Sequence, residues 1–186
     1  MKGCYLLVLC LGVWVTAHAK PVTRIIQAVD AYEIKRTLNP PQGVAVVVYS
    51  NAKVQDRTRE AGLLLHQFVG KPGFQFMVLV DLRKTMADWA PGYTKRRIQR
   101  DLMEKFKQLP PIPGRNLEKM GRPDVSAIAD FKGETCNQLG WIKPEDQLRV
   151  LVFADGKEVK RWDDLTQLNE LPQLVRTWIE QGEGAD

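Results

Sequence analysis

The chain has 186 residues, a hydrophobic fraction of 44 %, a charged fraction of 26 % and a formal net charge of +5. That balance is the one expected of a globular protein with a single core. It excludes a disordered chain, a collagen-like repeat and a disulfide-dense mini-scaffold.

The first nineteen residues read as a targeting segment. Lys2 supplies a positive start, residues 4–15 are almost wholly apolar, and Ala17-His18-Ala19 is a small-residue cleavage pattern. This is the layout of a secretory signal peptide cleaved after Ala19, and its apolar run is too short to span a bilayer. The expected product is a soluble, exported chain of residues 20–186, in the periplasm or outside the cell. Removing Lys2 leaves 26 basic and 22 acidic residues, a net charge of +4. Cys4, Cys10 and His18 are removed with the segment, leaving Cys136 and His66 as the only thiol and imidazole. One cysteine cannot form an internal disulfide, so stability has to come from packing.

Residues 22–38 carry Ile25, Ile26, Val29, Tyr32 and Ile34 at mixed spacing and read as a short helix or extended lead-in over 20–43. Asn39-Pro40-Pro41-Gln42-Gly43 breaks the chain. Residues 44–49 (VAVVVY) are continuously apolar and β-branched, the mark of a strand buried on both faces. A helix over 55–69 follows, with Ala61, Leu64, Leu65 and Phe68 on its stripe, and then a second buried strand over 74–82. Ile98, Leu102, Phe106 and Leu109 recur at helical spacing and predict a helix over 93–109. Pro110-Pro111-Ile112-Pro113-Gly114 ends it and opens a proline-rich loop to residue 124. A third strand over 125–131, a short helix near 135–139, a fourth strand over 148–154, an Asp155-Gly156 hairpin, a partner strand over 158–162 and a helix over 168–180 complete the order. Residues 182–186 read as a polar tail.

Alternating strands and helices predict an α/β sheet with parallel pairs and an antiparallel closing edge. The order over 44–180, and in particular DFKGETCNQLGW followed by LRVLVFADGKEV and a terminal amphipathic helix, resembles the thioredoxin-like superfamily. The resemblance implies a three-layer sandwich with a mixed sheet, a C-terminal β-hairpin and a terminal helix. Within that superfamily the chain is most similar to the exported, cysteine-poor YtfJ-type periplasmic proteins. It departs from the redox-active pattern in two places. The segment after the first core strand, Tyr49-Ser50-Asn51-Ala52-Lys53-Val54-Gln55-Asp56, has no Cys-x-x-Cys. Where thioredoxins carry a cis-proline, Asp146-Gln147 stand, with Pro144 too early. The resemblance therefore implies the fold without the dithiol reaction.

Cys136 is the candidate for a thiol-dependent redox or peroxidase-like activity, the alternative reading; its other reading is a small, partly buried residue. Ser50, Asn51, Lys53, Asp81 and Arg83 cluster at the expected carboxyl ends of two parallel strands, the usual crevice for a ligand. Ser50 or Asn51 is also a natural helix N-cap. His66 is expected on a helix face. From Lys95 to Lys107 six basic residues face two acidic ones, led by Lys95, Arg96, Arg97 and Arg100, with Arg83, Lys84 and Arg115 as extensions. Such a run is ordinarily a solvated face; its functional reading is a patch for lipid headgroups, polysaccharide or an acidic protein. Trp89, Ala90, Pro91 and Tyr93 precede it as a loop lip or, more simply, as packing residues. No metal site, cofactor fingerprint or nucleic-acid motif is present in the sequence. The expectation is a redox-inactive binding or accessory module.

Overall fold

The computed structural model describes residues 24–83, 85, 89–109, 111, 114 and 116–183. The segment read as a signal peptide, its cleavage after Ala19, Lys84, Arg115 and the last three residues lie outside the described residues.

A five-stranded sheet forms the centre, in the order β5-β4-β3-β6-β7: β5 Val125–Asp130, β4 Phe74–Asp81, β3 Val44–Ser50, β6 Val150–Ala154, β7 Lys157–Trp162. β3 pairs parallel with β4 and β4 with β5; β6 runs antiparallel to β3, and β7 antiparallel to β6. All seven residues of β3 are buried because both faces of the central strand are covered. Each fully buried aliphatic side chain there contributes about 1.5–3 kcal/mol of transfer free energy.

One face is covered by α1 (Gln55–Leu65), α2 (Pro91–Phe106) and α5 (Glu170–Glu183). Val46, Val48, Leu65, Phe106, Leu171 and Val175 meet in its core. The other face is covered by α4 (Glu134–Gln138), by residues around Trp141 and by a small hairpin near the N-terminus. Tyr49, Met77, Leu79, Ile128 and Cys136 fill that second core. Strand alternation splits β3 between the two, Val46 and Val48 to one face and Ala45, Val47 and Tyr49 to the other.

The starts of β3 and β4 touch. A Cβ on Gly43 would stand 2.2 Å from the Gly73 carbonyl oxygen, and Gly43 has φ 84°. Only glycine fits there. At the same end of the sheet Asp155 (φ 47°) and Gly156 (φ 77°) make the tight β6–β7 turn that the sequence signals, and the Asp155 carboxylate accepts from the Gly43 N–H at 3.0 Å.

The lead-in is not the short helix of the first sequence expectation; it is extended, the second, but doubled back on itself. It is an antiparallel hairpin, β1 (Gln27–Val29) with β2 (Lys35–Thr37). Buried Asp30 makes the turn: its carboxylate accepts from the Tyr32 and Ile34 backbone N–H groups at 2.8 and 2.9 Å and pairs with Arg36 at 2.7 Å. Arg36 continues to the Arg122 carbonyl oxygen, and Arg122 pairs with Asp124 at 2.9 Å. Three-residue strands carry no usable periodicity, so this tertiary anchor was invisible in the pattern. The boundaries of other elements also move. Residues 66–68 form a separate 3₁₀ turn after α1; α2 begins at Pro91, a favoured first helical residue, and ends at Phe106; α5 runs on to Glu183, into the expected tail. Within the proline-rich loop lies a short helix, α3 (Leu117–Met120), capped by the Asn116 side chain.

Candidate functional site

The carboxyl ends of β3, β4 and β5 lie side by side, and one face of them is polar. Asp81 is the register partner of Asp130, and Tyr49 lies one strand over on the same face as both. Period-two alternation makes this so: Met77, Leu79 and Asp81 share a face of β4, as Ile128 and Asp130 do on β5.

Asp81 is 3 % exposed and fully engaged. It accepts from the Tyr49 hydroxyl at 2.9 Å, from Arg83 Nη2 at 2.8 Å, from Arg83 Nε at 3.0 Å and from the Arg83 backbone N–H at 3.1 Å. Burial pushes its carboxyl up, but the hydrogen bonds from Arg83 and Tyr49 and the guanidinium charge outweigh that and hold it below the usual range. The Tyr49 hydroxyl is pushed up to about 12 by burial and by donating to Asp81. It accepts in turn from Asn51 Nδ2 at 3.2 Å and from the Glu145 N–H at 3.3 Å. Arg83 goes on to donate to the carbonyls of Trp141 and Ile142. Its stem crosses Gly133, where a Cβ would come within 2.3 Å of Arg83 Cδ. The Trp141 ring meets Tyr49 edge-on at 5.7 Å, and the Arg149 guanidinium sits 5.6 Å from the Tyr49 ring centre.

Of the five residues expected to line a crevice, three converge. Asn51, Asp81 and Arg83 gather around Tyr49, and their polar atoms bond one another and the 141–145 segment. Ser50 is buried at the strand end but points to the face opposite Tyr49. Lys53 is exposed and pairs with exposed Asp146 at 2.5 Å. Neither joins the cluster. Asn51 does act on the start of α1, its side-chain oxygen accepting from the Lys53 and Val54 N–H groups, although the helix N-cap itself is Val54. Tyr49, Asp130, Trp141 and Arg149 were not singled out from the sequence. The available signal was a carboxylate closing each of two predominantly apolar strands.

Cys136 is 0 % exposed, in the first turn of α4. Its N–H donates to Asp130 at 2.7 Å. Burial pushes its thiol far above the ordinary range, and the Asp130 and Asp81 charges add to that; Arg83 opposes only in part. The thiolate is the nucleophile, and each unit of rise removes about nine-tenths of it. Native Cys136 is therefore expected to resist iodoacetamide at neutral pH and to alkylate readily in denaturant, as followed by mass spectrometry. Rapid native alkylation would contradict this burial.

Elsewhere, His66 is exposed at the 3₁₀ turn, with Nε2 3.2 Å from the Gln108 carbonyl oxygen. No group of three metal-ligating side chains occurs among the described residues, and no helix among them is long and apolar enough to cross a membrane. On α2, Lys95 pairs with Glu33, and Lys107 just past its end pairs with Glu104. Arg96, Arg97 and Arg100 are exposed. Trp89 and Tyr93 are not packing residues: they are 88 % and 62 % exposed.

No protein-family profile matches the chain, and no curated protein does. Solved structures do. The chain is similar to DsbF of Mycobacterium tuberculosis, solved in mixed oxidised and reduced forms, with 13 % identity, TM-score 0.50, and 85 % of this chain and 98 % of that one covered. It is similar to a DsbF homologue from Corynebacterium diphtheriae at 11 % identity and TM-score 0.53, covering 82 % and 83 %. The thioredoxin domain of a thiol-disulfide oxidoreductase from Bacteroides vulgatus matches at 14 % identity and TM-score 0.51, covering 84 % and 94 %. The likeness is one of fold. The chain has the thioredoxin-like architecture, a mixed five-stranded sheet between helical layers, as the order of its elements implied.

Proposed function

We propose that the protein is an exported, redox-inactive thioredoxin-fold module that binds a partner rather than turning over a disulfide or peroxide. The observation that carries this reading is the junction of β3 and α1. It holds Asn51-Ala52-Lys53-Val54 instead of a dithiol, and Asn51 is turned inward to tie Tyr49 to the 145 carbonyl. The crevice below is closed by the Tyr49–Asp81–Arg83 network. Cys136, the thiol of the alternative redox reading, belongs to α4 and is buried against two carboxylates. A thiol so placed lacks the positive, accessible surroundings that lower a catalytic cysteine's pKa. Export follows from the apolar segment before Ala19, and the similarity to the YtfJ-type periplasmic proteins agrees with both features.

The test is turnover in disulfide-reduction and peroxide-reduction assays, with Cys136→Ser as control. Flat traces for both proteins are expected. Activity abolished by Cys136→Ser would replace this reading with that of a one-cysteine redox enzyme.

A further inference from the structure

The outward face of α2 stands apart from the rest of the surface. Tyr93, Arg96, Arg97 and Arg100 fall at helical spacing i, i+3, i+4 and i+7, on one stripe. Leu102, Met103 and Phe106 pack into the core from other sides of the helix. None of the three arginines makes a hydrogen bond or ion pair with a described residue, whereas Lys95 of the same helix and Lys107, which caps its carboxyl end, are both paired. Asp101, with no ion-pair partner among the described residues, flanks the stripe, and Glu104 at its far end is held by Lys107. The stripe is therefore cationic as a whole. At its amino end Trp89 and Tyr93 are 88 % and 62 % exposed, two large rings in water.

We propose that this stripe is a peripheral docking surface for an anionic phospholipid bilayer. The proposal rests on the reading of the chain as a binding module and names what it binds. Charge complementarity argues for it: guanidinium groups are weakly hydrated and meet phosphate oxygens two at a time. The rings argue for it too. Trp and Tyr are the residues that settle at the headgroup level, apolar body inward and polar edge outward. The shape completes the case. The stripe is the convex outside of a 16-residue helix about 24 Å long at 1.5 Å per residue, which suits a plane of headgroups better than a single chain to be enclosed. The apolar side of α2 stays in the protein core, so the helix lies on the surface without inserting.

The experiment is co-sedimentation of the purified protein with vesicles rich in phosphatidylglycerol and with vesicles of phosphatidylcholine alone. The protein used is the exported form beginning at Lys20, so the apolar N-terminal segment adds no vesicle binding of its own. Binding only to the anionic vesicles, weakened by salt, is expected. Arg96→Gln, Arg97→Gln and Arg100→Gln together should weaken it about 100-fold, from roughly 1 kcal/mol per surface arginine. Trp89→Ala with Tyr93→Ala should weaken it at unchanged charge. All five positions are exposed, so the variants should melt as the parent does. Equal binding to both vesicle types, or undiminished binding by the triple variant, overturns the proposal. Retention on polyglutamate or an acidic polysaccharide with no vesicle binding overturns it as well, and makes the stripe a polyanion site. The redox assays above are read independently, so failure here leaves the redox-inactive reading standing.

Discussion

Asp81→Ala is expected to lower the unfolding free energy by about 3–5 kcal/mol, because it leaves a largely buried guanidinium without its carboxylate. Arg83 donates three hydrogen bonds to Asp81 and its side chain is 14 % exposed, so water cannot fully replace the lost partner. The Tyr49 hydroxyl loses its acceptor in the same step. Urea denaturation measures the loss. Asp81→Ala combined with Arg83→Leu should recover a good part of it, since the unpaired charge is then gone. A loss under about 1 kcal/mol for Asp81→Ala would mean that the network does not hold the strand ends together. The pH dependence has a definite sign. The folded carboxyl titrates below its unfolded value of about 3.9, so its contribution is complete above that pH and is lost as pH falls through the folded value. Wild type and Asp81→Asn should therefore differ most near neutrality and converge in acid. A gap that widens in acid would reverse the assignment.

Trp141→Ala is expected to cost about 3–5 kcal/mol, the usual penalty for emptying a large aromatic site in a core. Trp141 is 1 % exposed and closes the polar cluster from the side opposite the sheet, against Tyr49 and beneath the Arg83 contacts. Trp141→Phe should cost much less than its lost volume suggests. The indole N–H is buried with no hydrogen-bond partner among the described residues, so removing it removes a standing penalty. Denaturation of the two variants side by side checks this. Equal losses for Phe and Ala would show that the indole ring's shape, not its bulk, is what the site needs.

The two predictions concern residues that differ in how far the sequence exposed them. Asp81 and Arg83 were visible because a charged pair at the end of FQFMVLVDLR interrupts an apolar strand. Trp141 was not, because it sits in an irregular segment where no period assigns a direction to a side chain. The same distinction runs through the fold. The β-branched run of β3, the stripes of α1 and α5, and Asp155-Gly156 each state their local structure, since each recurs at the period of its element or meets a turn's dihedral demand. The parallel and antiparallel pairings followed from the order of elements.

What the sequence alone determined is therefore the succession of elements, the architecture they form and the absence of a dithiol after the first core strand. Only the tertiary structure decided that Asn51, Asp81 and Arg83 close on Tyr49 while Ser50 and Lys53 turn away, that Asp30 makes a hairpin of the lead-in, that Cys136 is sealed, and that Trp89 and Tyr93 stand in solvent. Those outcomes depend on which strands become neighbours and which side chains meet across them. Local periodicity carries the direction of a side chain within its own element and nothing about the partner waiting on the next.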